Sequence, residues 1–354
     1  MRYLLKKRKT IKKFDGKKNL ELNYNFYKFY FTIMWTILTW IKPSADQIHL
    51  WNYFWAVKPL LSLQKENDVF FMIADLHAFT TVHEKWVIWK SAIKQAKIYV
   101  ACWIDLNKVI LFRQHKIPAH TELNWILSCI TPFGILRRMH AFKDAINKKK
   151  QENISAWVFN YPTLMASDIL LYAPDYVPVW ADQKQHVEYA QDIAQKFNNL
   201  FWETIKIPKE IINKKIAKIP WIDGRKMSKS YNNFIWILDN EEILLKATKK
   251  IVSDSIILWT PKNPDECNVY NMLKLFLDKD EDKIIREKYN TWNFSFKEMK
   301  QLLYEKLITF IKPIQEKYYN ITDEEIKEIL IENEKKVNNI ASKNMEKIYN
   351  AIWM

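Results

Sequence analysis

The sequence predicts an α/β fold, a doubly wound parallel sheet followed by an all-helical region, and three observations carry that prediction. Short apolar runs alternate with longer amphipathic ones from residue 34 onward, the pattern of strands joined by crossover helices. From about residue 237 the chain turns to Lys, Glu, Leu and Ile at helical spacing. Its 354 residues, 49% hydrophobic and 27% charged, suffice for two or three folding units with a buried core and exclude a disordered chain.

Taken in order, TILTWI (Thr36 to Ile41) reads as a buried first strand, and Tyr53 to Gln64 as the amphipathic helix that follows. DVFFMIADLHA and then Glu84 to Gln95 repeat strand and helix, and KIYVACWI takes the third strand's place, followed by a short polar stretch and KVILF. Parallel strands need such crossovers, so residues 34–236 are assigned a Rossmann-like domain. Glu122 to Lys149 reads helical, and Ile154 to Leu171 reads as a helix preceded by a Tyr-Pro turn. Phe296 to Ile311 and Asp323 to Ala341 belong to a second domain, residues 237–354, whose last helix is expected to pack back on the first.

Charge is unevenly placed. Residues 1–33 hold 10 Lys and Arg against Asp15 and Glu21, leaving 45 basic against 38 acidic residues in the rest of a chain of net charge +15. Cationic excess favours a polyanionic partner without saying which. The first 33 residues read as a disordered basic tail, or as upstream sequence joined to a start at Met34. A secretion signal or anchor is the rival, but Phe29 to Ile41 is thirteen residues, too few for a bilayer, and runs straight into Lys42-Pro43-Ser44. No membrane partner is expected. Cys102, Cys129 and Cys267 are odd in number and lack CxxC spacing, so neither a disulfide framework nor a zinc or iron–sulfur site is expected, and the compartment should be reducing, the cytoplasm.

One count is abnormal. The chain has 3 Gly and 16 Trp, where usage of about 7% glycine would give roughly 25 Gly. Glycine alone reaches positive φ freely and lets backbone approach a ligand. The expectation is that most Trp letters stand where the natural protein has glycine, from a gene that reads UGA as glycine. A Trp-rich aromatic binding surface is the rival.

The strongest motif is Lys226-Met227-Ser228-Lys229-Ser230, preceded by Ile222-Asp223-Gly224-Arg225. Two lysines flanking hydroxyl residues in a glycine-containing loop supply mobile cations and donors for a triphosphate. A basic surface turn would explain a lone KxxK, not the whole pentapeptide. Ile48-His49-Leu50-Trp51-Asn52 follows the first strand and opens a helix, where a nucleotide would meet free N–H groups. The residue after Leu50 should be glycine to let a base lie on the backbone; Trp51 fills that space. Three residues separate Met165 from Asp168, so on one helix they share a face.

At these residues the chain resembles the class I aminoacyl-tRNA synthetases, with HLWN for the HIGH motif beside KMSKS, and more narrowly the bacterial tryptophanyl-tRNA synthetases. The similarity runs from about Thr36 to the C-terminus, through LTWIKPSADQIHLWNYFWAVKP, IADLHAFT, TELNWILSCITPFG, YPTLMASDILLY, PVWADQKQHVEYAQDIA and DGRKMSKSYNN. In the family pattern Trp40, Trp51, Trp55, Trp103, Trp180 and Trp202 fall where glycine is usual, and Trp125 where tryptophan is usual. The resemblance implies activation of L-tryptophan by Mg²⁺-ATP through tryptophanyl-adenylate and its transfer to tRNA(Trp). It implies catalytic Lys226, Lys229, His49 and Asn52; ATP contacts from these and from Lys42, Ser44, Trp51, Met227, Ser228 and Ser230; and a tryptophan pocket of Asp168, Tyr161, Met165, Gln183, His77 and Asp182. Asp168 would accept the indole N–H, and Tyr161 and Gln183 would hold ammonium and carboxylate. Relatives often carry glutamine where Lys42 stands and glycine where Ala45 stands, which leaves the first loop's contacts open. No resident metal site is implied, Mg²⁺ arriving with ATP. A homodimer is implied, its interface lined by Asn124 to Arg138, and the helical domain should read the anticodon.

Tyrosyl-tRNA synthetase is the nearest rival, but it would need a phenol-recognising Tyr and Asp pair. A nucleotidylyltransferase of the same sheet class would normally lack KMSKS. Taken literally, Trp51 and Trp55 would block the nucleotide and favour a synthetase-like RNA-binding or regulatory protein, since each indole adds about 150 to 250 Å² where ATP should lie.

Overall fold

The structure, a computed structural model, describes residues 34–43, 45–148, 154–179, 183–212, 234–253, 263–291 and 295–353. Five parallel strands, β1 (Thr36–Ile41), β2 (Asp68–Ile73), β3 (Val109–Arg113), β4 (Tyr176–Val179) and β5 (Lys209–Ile212), form one sheet in the order 3-2-1-4-5. Thr36 pairs with Asp68, Val69 with Val109, Ile37 with Tyr176 and Tyr176 with Lys209. The order reverses direction between β1 and β4, the topological switch point where such sheets open a crevice at their carboxyl ends.

Alternate residues of the strands feed two cores, as the two-residue period requires. Ile37, Val69, Phe71, Ile73, Val109 and Leu111 face one; Leu38, Phe70, Met72, Phe112, Val177 and Val179 face the other. Around the sheet lie α1, which opens at Leu50–Asn52, widens into a π-helical stretch at Tyr53–Val57 and continues as Lys58–Leu63, then α2 (Asp75–Phe79), α3 (Val87–Ala101), α4 (Ala119–Ile130), α5 (Phe133–Arg138), α6 (His140–Lys148), α7 (Ala156–Leu170) and α8 (Lys184–Phe201). A 3₁₀ turn, Gln114–Lys116, follows β3 directly.

Four local expectations change. KIYVACWI, placed where a strand belongs, forms the end of α3 and the turn after it: Ile98, Tyr99, Ala101 and Cys102 are all buried, and a helix buried on most sides has the same unbroken apolar run as a buried strand. The helical reading of 122–149 breaks into α4, α5 and α6, because Thr131-Pro132 and Met139 take extended backbone angles. Tyr161-Pro162 does not precede α7 but lies inside it. The missing Pro162 N–H leaves one helical bond unmade and the flanking turns continue. Strands β4 and β5, four residues each, were not read from the sequence at all.

The helical region comprises α9 (Glu241–Lys250), α10 (Asn268–Leu273), α11 (Lys279–Asn290), α12 (Phe296–Asn320) and α13 (Asp323–Trp353). Reciprocal capping boxes start α11 (Asp278 with Glu281) and α12 (Ser295 with Glu298), and Thr322 with Glu325 does the same before α13. Its residues Ile285, Leu303, Ile311 and Leu330 join the core of one sheet face, while Val337, Ala341, Met345 and Ile348 of α13 join the other. Arg113 at the end of β3 pairs with Glu334 of α13 in two hydrogen bonds of 2.6 and 2.9 Å, both groups buried. Among the described residues no helix is long and apolar enough to cross a membrane.

Candidate active site

At the head of α1, His49 and Asn52 cap each other. His49 Nδ1 accepts from the Asn52 backbone N–H at 3.1 Å, and Asn52 Oδ1 accepts from the His49 N–H at 3.3 Å. Because Nδ1 is an acceptor here, the imidazole proton of neutral His49 sits on Nε2. The chain that resumes at Phe234 is pinned to this turn: Ile235 and Ile48 carbonyls accept from Leu50 and Ile237 N–H at 2.8 and 3.1 Å, and Phe234 and Trp236 rings lie 5.8 and 5.9 Å from His49. One turn on, Trp51 and Trp55 lie ring against ring, with centroids 4.3 Å apart.

Asp168, on α7 and 1% exposed, is bonded to residues that directly follow β2 and β3, at the carboxyl end of the sheet. His77 of α2 meets its Oδ2 through Nε2 at 2.7 Å, Gln114 Nε2 donates to both oxygens at 2.8 and 2.9 Å, and His120 Nδ1 stands 2.7 Å from Oδ1. Burial alone pushes this carboxyl up, but the His120 charge, the hydrogen bonds from His120 and His77, and the His77 charge together outweigh it and bring it down to about 2. The group is a fixed, ionised acceptor. Met165, one helical turn earlier, is buried beside it.

Tyr161 stands beside this cluster. Its ring stands edge-on to His77 at 6.1 Å, its hydroxyl meets His186 Nε2, and burial raises it to about 12. Gln183 heads α8, its carbonyl accepting from the His186 N–H at 3.0 Å. Lys42, just past β1, donates to Thr80 Oγ1 at 3.3 Å, and Thr80 Oγ1 donates to the His77 carbonyl at 2.7 Å. A hydrogen-bonded path therefore runs from the first loop through α2 to Asp168.

The structure brings together Lys42, His77, Tyr161, Met165 and Asp168, and places His49, Trp51 and Asn52 at the head of α1. Ser44, Asp182 and Lys226, Met227, Ser228, Lys229 and Ser230 lie outside the described residues. Sequence reasoning missed Gln114, His120, Thr80 and His186. They come from separate segments, and no spacing ties them to Asp168. Among the described residues no group of three or more His, Cys, Asp or Glu is gathered as for a metal ion.

The family of class I tRNA synthetases (W and Y) matches residues 34–312. A Tryptophan--tRNA ligase of Campylobacter jejuni strain RM1221 is 37% identical over 320 residues, covering 90% of this chain and 99% of its own. A crystal structure of tryptophanyl-tRNA synthetase from Campylobacter jejuni complexed with ADP and tryptophan superposes with a TM-score of 0.81 at 37% identity, covering 90% of this chain and all of that one. Tryptophanyl-tRNA synthetase from Mycoplasma pneumoniae gives 0.77 at 26% identity, over 91% of this chain and 98% of that one. A five-stranded parallel sheet of order 3-2-1-4-5, with the family's model matched over residues 34–312, makes the chain a member of the class I tRNA synthetases of the W and Y family.

Proposed function

We infer that this chain activates L-tryptophan with Mg²⁺-ATP and transfers it to tRNA(Trp), as the names of its relatives state for them. One observation carries the choice of amino acid: a single buried, ionised carboxylate, Asp168, with Met165 one helical turn away. An indole N–H can share it or replace one of its present donors; phenylalanine brings no donor, and a site built to bond an N–H rejects such an analogue by about 10⁴ to 10⁵.

The chemistry needs no protein nucleophile, since the amino acid's own carboxylate attacks the α-phosphate. Positioning and charge stabilisation do the rest. His49 Nε2–H and the Asn52 amide donate to phosphate oxygens from the head of α1, where helix N–H groups add to the field. Lys226 and Lys229 meet the β- and γ-phosphates and Ser228 a phosphate oxygen, with Ser44, Met227 and Ser230 beside them. The pinning of Phe234 to Ile237 beside His49 supports this placement. Tyr161, Gln183 and Asp182 orient the amino-acid head group, and Lys42 reaches the α-phosphate. Residues 237–354 read the anticodon, and 34–236 form the catalytic domain. The exposed Trp125 and Phe133 on α4 and α5 support a homodimer contact there.

We propose also that most Trp letters stand for glycine in the natural polypeptide. Among the described residues four non-glycine positions have positive φ, and three are Trp86, Trp103 and Trp202. Trp202, at φ 64° and ψ 173°, occupies a region open essentially to glycine alone. Read literally, Trp51 and Trp55, in ring contact at the head of α1, favour a blocked, non-catalytic protein. Pyrophosphate exchange decides. Polypeptide decoded with glycine should exchange with tryptophan and not tyrosine, and Asp168→Ala should lower exchange with tryptophan by orders of magnitude while leaving it measurable; no exchange with any amino acid by the glycine-decoded parent refutes the assignment. UGG codons at most of these positions would refute the recoding.

A further inference from the structure

Asp168 is held from behind as well as from the pocket, and the group behind it has no place in the reaction described above. His120, at the start of α4, is 0% exposed. Its Nδ1 lies 2.7 Å from Asp168 Oδ1, off the axis of a straight hydrogen bond, and its Nε2 is 2.8 Å from the Tyr172 hydroxyl just after α7. The Phe112 ring lies 6.4 Å away at 14° to it, walling off water.

The proton arrangement follows from this pairing. If Tyr172 donates its hydroxyl proton to Nε2, the neutral imidazole must carry its proton on Nδ1; if His120 is cationic, both nitrogens carry one. The third state, a neutral imidazole with its proton on Nε2, would put a lone pair 2.7 Å from the Asp168 carboxylate and is opposed by repulsion, so an N–H faces Asp168. His77, by contrast, meets Oδ2 from the more exposed side, 12% open, where an incoming indole N–H must share or take its place. Donors behind the carboxylate fix its rotamer and charge without occupying the pocket face.

We propose that His120, set by Tyr172, is a positioning residue for amino-acid specificity: it aims the Asp168 carboxylate so that one oxygen is presented to an indole N–H. This rests on Asp168 being the indole acceptor.

The test uses the full chain in pyrophosphate exchange, comparing tryptophan with its benzothiophene analogue, which has the same shape and no N–H. His120→Leu should raise KM for tryptophan on the order of 10- to 100-fold, the loss expected for one charged hydrogen bond. KM for the analogue and for ATP should stay unchanged. His120→Asn, which returns an N–H near the Nδ1 position, should restore most of the preference. An equal rise for both amino acids would mean packing alone and overturn the proposal. Should His120→Leu fail to fold, Tyr172→Phe must lower the preference several-fold, and an unchanged preference overturns the proposal equally. Asp168→Ala separates the two layers. If it keeps the preference, the acceptor reading itself falls; if it loses the preference while His120→Leu keeps it, only the role of His120 falls.

Discussion

Asp168 shows how a carboxylate stays charged where water does not reach. Its folded pKa of about 2 lies below the ordinary 3.8, so its ionisation adds stability that is fully present above about pH 4 and lost as the pH falls through 2. That lowering corresponds to about 2 kcal/mol. Urea unfolding of the parent protein should therefore lose about that much more between pH 4 and 2 than unfolding of Asp168→Asn; parallel curves would refute the pairing. The left-handed tryptophans give the opposite case, side chains held where a Cβ collides with backbone. Trp202→Gly should raise the urea midpoint by about 1 kcal/mol equivalent, the strain released. Trp125→Gly, in the middle of α4, should lower it by a similar amount.

Helix α1 joins stability to the proposed chemistry, because the two side chains that cap it are those assigned above to the triphosphate. Asn52→Ala removes one half of the capping box, the Oδ1 that accepts from the His49 N–H. A cost of about 1 kcal/mol in stability should come with a several-fold rise in KM for ATP and little change in KM for tryptophan. A tryptophan effect as large as the ATP effect would show that the pocket, not the helix head, had been disturbed. Capping boxes of this kind pair residues three apart, so His49 with Asn52, Asp278 with Glu281 and Ser295 with Glu298 are local signals, although none was read from the sequence. The third apolar run could not be read. KIYVACWI carries no polar residue at either a two- or a 3.6-residue period clear enough to choose between strand and helix, and only burial of Ile98, Tyr99 and Ala101 against the sheet decides.

Across the whole molecule, α13 ties the end of the chain to the sheet. Arg113 and Glu334 form a buried, two-pronged pair between β3 and that helix, and Asn333 donates to the Leu111 carbonyl at 3.0 Å. Glu334→Ala strands a buried guanidinium and should cost about 3 kcal/mol or more in thermal or urea unfolding. Arg113→Met combined with Glu334→Leu should recover most of that loss; a double variant as unstable as the single one would show that shape rather than charge holds the contact. What the sequence determined by itself is whatever is local: alternation of apolar runs, capping residues, and the KMSKS, HLWN and YPTLMASDIL segments that carry the family resemblance. Only the tertiary structure decided that Gln114, His120 and His77 converge on Asp168, that Lys42 reaches α2 through Thr80, and that two short strands complete the sheet. Hydrogen-bond partners and desolvation arise between segments far apart in the chain, and a histidine or glutamine carries no mark of its partner until packing excludes water from both.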